Sequence, residues 1–197
     1  MTNRLEQLTK RIRDLEEALE AELAEKRKEL RYRLDRRRAV FEADVTARHR
    51  AARMRLSSFL ARTRLMIVLT APFIYVLIVP FVILDLFVML YQAVSFPVYG
   101  IARVPRRDFI VIDRQQLGYL NGLQKLNCIY CGYANGVIGW VREVASRTEA
   151  YWCPIKHASR VSEPHLRYPG FADFGDEAVF EERLEDMRAA LRNDASG

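Results

Sequence analysis

The sequence predicts a mainly α protein in three consecutive parts. These are a long N-terminal coiled-coil helix, a membrane-embedded helix or helical hairpin, and a small α-rich C-terminal domain stapled by a metal. Three observations predict this. Charge is segregated: residues 1–64 carry 18 Lys/Arg against 11 Asp/Glu, residues 65–100 carry Asp85 alone, and residues 101–197 carry 13 of each sign. From Asn3 to Leu60 there is no proline or glycine. Finally, Cys128, Cys131, Cys153 and His157, which include every cysteine of the chain, fall at metal-ligand spacing.

The N-terminal part, residues 1–64, is dominated by strong helix formers. Its apolar positions open as a heptad, Leu5, Leu8, Ile12, Leu15 and Leu19. They continue through Leu23, Leu30, Leu34, Phe41, Val45, Ala52 and Leu56 in alternating steps of 4 and 7, an 11-residue repeat that implies a nearly straight coil. So narrow a seam on so charged a rod predicts self-association into a homo-oligomer, over a length of about 80 Å at 1.5 Å per residue. The basic run Arg31, Arg33, Arg36, Arg37 and Arg38 is interleaved with acids and lacks an aromatic platform, which favours a solvated coil face over nucleic acid. The later run Arg48, Arg50, Arg53, Arg55, Arg62 and Arg64 contains no acid and directly precedes the apolar part, so anionic membrane lipids are its natural partner. Residues 1–30 have no apolar core, which suits neither a signal nor a transit peptide.

Residues 65–101 form the membrane-embedded segment. Leu65 to Leu84 is uncharged and long enough to cross a bilayer, and the stretch after Asp85 is again uncharged to Ile101. One straight helix of this length would reach about 55 Å against a hydrocarbon core of about 30 Å, while two full spans need about 40 residues and a turn. Two solutions remain: a single span over 65–84 with the rest in the interface, or a short hairpin turning near Pro80 to Asp85. The basic flanks, Arg62 and Arg64 before and Arg103, Arg106 and Arg107 after, favour the hairpin with both ends cytoplasmic. Asp85 stands alone in this segment and is read as a turn or boundary residue that reaches water.

Residues 102–170 form the predicted metal domain. Asp108 to Ile112 reads as a short strand, and Asp113 with Gln116 as a capping box opening a helix to about Leu126. Cys128 and Cys131 then share a turn, and Val137, Val141 and Val144 lie on one face of a second helix over about 135–148. That helix returns the chain so that Cys153 and His157 complete a Cys3His site. Gly132 and Pro154 suit the two knuckles. Thiolate and imidazole ligands favour Zn, and four protein ligands leave no open position for catalysis. Three ligand thiols also favour a reducing compartment. His165 is a less favoured fourth ligand, and a redox pair Cys128–Cys131 or an activated Cys153 is the thiol alternative. Residues 171–197 complete a turn-rich connector and end in a helix over about 176–193, with Phe180, Leu184, Met187 and Leu191 along one face and its acids toward water.

Two resemblances follow from these residues. Cys128-x2-Cys131-Gly132-Tyr133 followed by Cys153-Pro154 resembles the knuckles of rubredoxin, which implies a one-electron Fe site; the second knuckle here lacks the Cys-Pro-x-Cys-Gly spacing. Lys125 to Gly136, with Arg147 to His157, also resembles a group of uncharacterised bacterial membrane proteins over roughly residues 85–175. That resemblance implies an inner-membrane location and brings no activity with it. The expected function is a membrane-anchored, non-enzymatic scaffold with a structural zinc site facing the cytoplasm. A redox protein and a nucleic-acid-binding zinc protein are the alternatives.

Overall fold

The computed structural model describes residues 2–35 and 38–196, with the side chains of residues 2–9, 13, 195 and 196 left out. The protein is mainly helical and divides into two compact units. The first comprises residues 1–62 and 113–126, the second residues 63–112 and 127–197.

In the first unit, helix α1 (Thr2–Glu29) closes on Lys26, Arg27 and Lys28, cations suited to a helix C-terminus. The predicted continuous rod ends here. Arg31 turns the chain with a φ of 56°, and its guanidinium pairs with Glu42 and, at 2.6 Å, with Asp44. Strands β1 (Tyr32–Asp35) and β2 (Arg38–Phe41) follow as an antiparallel hairpin in which Tyr32 faces Phe41. The hairpin wins over helix because aromatic and β-branched residues at 32, 40 and 41 pair across the strands. Helices α2 (Ala43–Ala51) and α3 (Leu56–Arg62) complete this part. An edge-to-face string joins Phe41 to His49 at 4.9 Å and His49 to Tyr119 at 5.1 Å, and so docks residues 113–126. Ile12, Leu15 and Leu19 of the predicted seam are exposed, whereas Val45 of the later series is buried. Leu5 and Leu8 lie outside the described side chains, and Arg36 and Arg37 outside the described residues.

In the second unit, α4 (Leu65–Val76) and α5 (Ile78–Tyr99) meet at Leu77, just before Pro80 removes a helical donor. No turn forms at Pro80 to Asp85, which corrects the hairpin's proposed position: α5 runs unbroken through it. Among the described residues, the one stretch long and apolar enough to cross a membrane is Leu65–Tyr99, with a mean hydropathy of 2.7 and 6% of its most apolar window buried. At Gly100 the chain adopts a left-handed φ of 69°, and Ile101 N–H returns to the Phe96 carbonyl at 2.9 Å, the bond of a Schellman stop. The chain then folds back along α5. The Gln92 amide engages both backbone groups of Val104, at 2.8 and 3.3 Å, and the Trp140 indole donates to the same carbonyl at 3.0 Å.

Residues 108–112 are not a strand; the chain makes a single turn of 3-10 helix at Arg106–Asp108 instead. The capping box also lies elsewhere. Asn121 and Gln124 exchange side-chain bonds with each other's backbone N–H at 3.0 Å, whereas Asp113 makes no such cap. The helix they open, α6 (Gly122–Trp152), takes in the end of the first predicted helix, the turn after it and the whole of the second. Gly136 allows this packing: a Cβ there would lie 2.7 Å from Ile110 Cα. Phe96, Ile101, Val104, Trp140, Val144, Phe171 and Leu191 form the core. Helix α7 (Phe180–Ser196) contributes Leu184 and Leu191 to the interior from its predicted face, with Glu181, Glu182, Glu185 and Asp186 exposed.

Candidate functional site

Continuous α6 decides the fate of the four predicted ligands. Cys128, half-buried, and Cys131, exposed, sit on its N-terminal half; Cys153, exposed, follows its last residue. At 1.5 Å per residue, the 21 or more helical residues between the pair and Cys153 separate them by about 30 Å or more. His157 lies beyond, its ring stacked on Tyr168 at 5.9 Å and its N–H donating to the Tyr168 hydroxyl at 2.7 Å. The structure therefore does not bring Cys128 and Cys131 together with Cys153 and His157 within one chain. Among the described residues no three His, Cys, Asp or Glu side chains gather where they could hold a metal. The physical reason is that Gly132, read as part of a metal knuckle, sits inside a helix with a continuous buried face at Ala134, Val137, Trp140 and Val144. His165 is likewise engaged: its Nε2 meets Glu149 at 2.9 Å and its Nδ1 accepts the Arg167 N–H at 3.2 Å.

What the fold does bring together is a polar cluster within the apolar segment. Asp85 is 3% exposed on α5. Its carboxylate accepts Arg106 Nε at 2.8 Å and Nη2 at 2.5 Å, the two-pronged geometry an arginine fork favours. The Tyr133 hydroxyl of α6 donates to the same carboxylate at 2.8 Å, and the Arg106 guanidinium lies 5.8 Å from the Tyr133 ring centre. The boundary reading of Asp85 is thereby corrected: the residue is buried and paired. A charge in this setting is tolerable only when both ionised partners and their donors are in place. Hydrogen bonding to Asp85 raises the Arg106 pKa above its ordinary value. Burial, followed by the hydrogen bond to Asp85, pushes the Tyr133 phenol up. Three elements far apart in sequence are thus tied at one point: α5, the returning segment and α6.

Chemically the cluster is a clamp. Every strong donor on it aims at one carboxylate. Sequence reasoning singled out Asp85 and missed Arg106 because the pairing depends on the reversal at Gly100. The signal available was a lone acid in an apolar run with a basic cluster about 20 residues on. A second polar network ties α6 to the connector: Glu143 accepts Arg147 at 2.8 Å and Arg167 at 2.9 Å, and Arg167 also reaches Ser146 Oγ at 2.9 Å. Burial raises the Glu143 pKa, but the two guanidinium groups outweigh it and hold the carboxyl below its usual range. Compared with protein-family models, with curated proteins and with solved structures, the chain matches none.

Proposed function

We propose that this protein is a membrane-anchored scaffold, with α4 and α5 in lipid and the rest of its second unit organised on α5 by the Asp85–Arg106–Tyr133 clamp. The observation that carries the reading is the contrast between the two sides of α5. Asp85, Gln92 and Phe96 are buried against protein, whereas Phe87, Leu90, Val94 and Val98 are bare apolar surface. Lipid is the environment that accepts such a surface without a protein partner. The acid-free arginine run from Arg48 to Arg64 favours anionic headgroups, and the exposed Ile12, Leu15, Leu19 and Leu23 favour self-association of α1. A bacterial inner membrane is the setting that the resemblance noted above implies. The polar groups of the clamp are consumed by one another, which favours a scaffolding role over catalysis. Alkaline carbonate extraction of membranes from expressing cells tests the anchor: the protein stays with the pellet, and release into the supernatant would overturn the reading.

A further inference from the structure

We infer that α5 lies along the membrane surface instead of crossing the bilayer, with its Phe87–Leu90–Val94–Val98 side sunk among the acyl chains of an anionic leaflet. The inference rests on the membrane anchor proposed above and deepens it. Length excludes one straight upright span over the whole stretch, since 35 residues from Leu65 to Tyr99 would measure about 52 Å and need a tilt of about 55° to fit into about 30 Å. Helix α5 alone, at about 33 Å, would fit, so length does not decide its orientation.

Charge placement then chooses the orientation of α5. The returning segment carries Arg103 beside Ala93, whose carbonyl it reaches at 3.1 Å, and Arg106 beside Asp85. Arg107, with its side chain 82% exposed and 3.9 Å from Asp108, is the next residue. At the Tyr91 level, Tyr91 bonds Thr148 of α6 at 2.9 Å, and the same stretch of α6 carries Arg142, Glu143 and Arg147. Charged groups therefore accompany α5 from Asp85 through Ala93. Upright, with Tyr99 at the headgroups, Asp85 would lie about 21 Å deeper, and Arg107 and Asp108 with it, past the midplane but still about 9 Å inside the hydrocarbon, where charge is costly. Laid flat, every one of these charges stays at headgroup level while one side of the helix is submerged.

The submerged side is continuous. Leu86, Phe87, Leu90, Val94 and Val98 are 57–78% exposed, and they repeat at helical spacing along one stripe. The opposite stripe, Asp85, Val88, Tyr91, Gln92 and Phe96, faces protein. Apolar residues on one side and arginines at the flank are the signature of an interfacial helix, and the arginines select anionic headgroups. Trp152, half exposed and packed edge-on to Tyr99 at 5.5 Å, sits where an interfacial aromatic belongs. Helix α4 is uncharged on every side, and at 12 residues, about 18 Å, it is too short to cross the hydrocarbon by itself.

Depth-dependent fluorescence quenching tests this on the full chain in phosphatidylglycerol-containing vesicles with brominated acyl chains. Phe87→Trp, Leu90→Trp, Val94→Trp and Val98→Trp are made one at a time in a Trp152→Phe background, with Leu69→Trp on α4 for comparison. Buried Trp140 supplies a constant baseline, and near-UV circular dichroism checks that each variant folds. The expected result is one shallow depth at all four α5 positions. A steady gradient of about 16 Å from residue 87 to residue 98 would mean an upright helix and overturn the inference. Quenching at residue 69 with none on α5 would mean that protein covers the stripe, which also overturns it. No quenching at any position would instead remove the membrane anchor itself.

Discussion

The two ends of the Asp85–Arg106 pair are unequal, and that inequality predicts the outcome of breaking it. The Asp85 side chain is 5% exposed, while the Arg106 side chain is 38% exposed. Arg106→Met leaves a buried carboxylate with Tyr133 as the one donor of the cluster still facing it, a loss near the low end of the range for orphaned buried charges, about 3 kcal/mol. Asp85→Leu leaves a guanidinium that can turn to water, so the loss is confined to charge-assisted hydrogen bonds, about 1–2 kcal/mol. The double variant should cost about 1–2 kcal/mol as well, because an apolar pair leaves nothing unpaired. At 2–4 °C per kcal/mol, near-UV circular dichroism melts in detergent should show Tm falling by about 9 °C, 4 °C and 4 °C respectively. If Asp85→Leu costs as much as Arg106→Met, or the two single effects simply add, the clamp is not the ion pair described.

Three further outcomes follow from the same geometry. Gly136→Ala places a methyl group 2.7 Å from Ile110 Cα and 2.8 Å from the Phe109 carbonyl oxygen, so melts should report a loss of about 2 kcal/mol. Gly122→Ala, with nothing within 4 Å, is the control and should be neutral or slightly stabilising. Glu143 has a depressed folded-state pKa, so its contribution is complete above the ordinary value of 4.5 and disappears as pH falls through the folded value. Glu143→Gln should therefore flatten the acid limb of a stability-against-pH curve below about pH 5, and an unchanged acid limb would contradict the network. Mass spectrometry after a short alkylation pulse of the folded protein should find Cys131 and Cys153 modified first and Cys128 more slowly, with no effect of chelator. Protection of all three thiols until chelator is added would restore the four-ligand centre.

Some of this protein is plain in its sequence. The uncharged stretch from Leu65 and the seam of α7 depend on local periodicity, and local periodicity survives folding. The end of α1 was hidden because Leu30 and Arg31 include neither glycine nor proline; the stop depends on Arg31 finding Glu42 and Asp44 after the hairpin has formed. The cysteine spacing misled for a related reason. Gly132 reads equally well as a turn former or as a small residue on a buried helix face, and only the continuous packed face of α6 distinguishes the two. Asp85 was visible as an anomaly, but its meaning lay with a residue on the far side of a chain reversal.

That reversal also imposes an order on biosynthesis. Arg106 is 21 residues downstream of Asp85, so at about 5–20 residues per second the ribosome needs about one to four seconds to supply the counter-charge. Tyr133, on α6, comes later still. Through that interval α5, which is completed only at Tyr99, carries one uncompensated acid that resists burial in hydrocarbon on its own. The charge of Asp85 is therefore compensated only after the returning segment has been made.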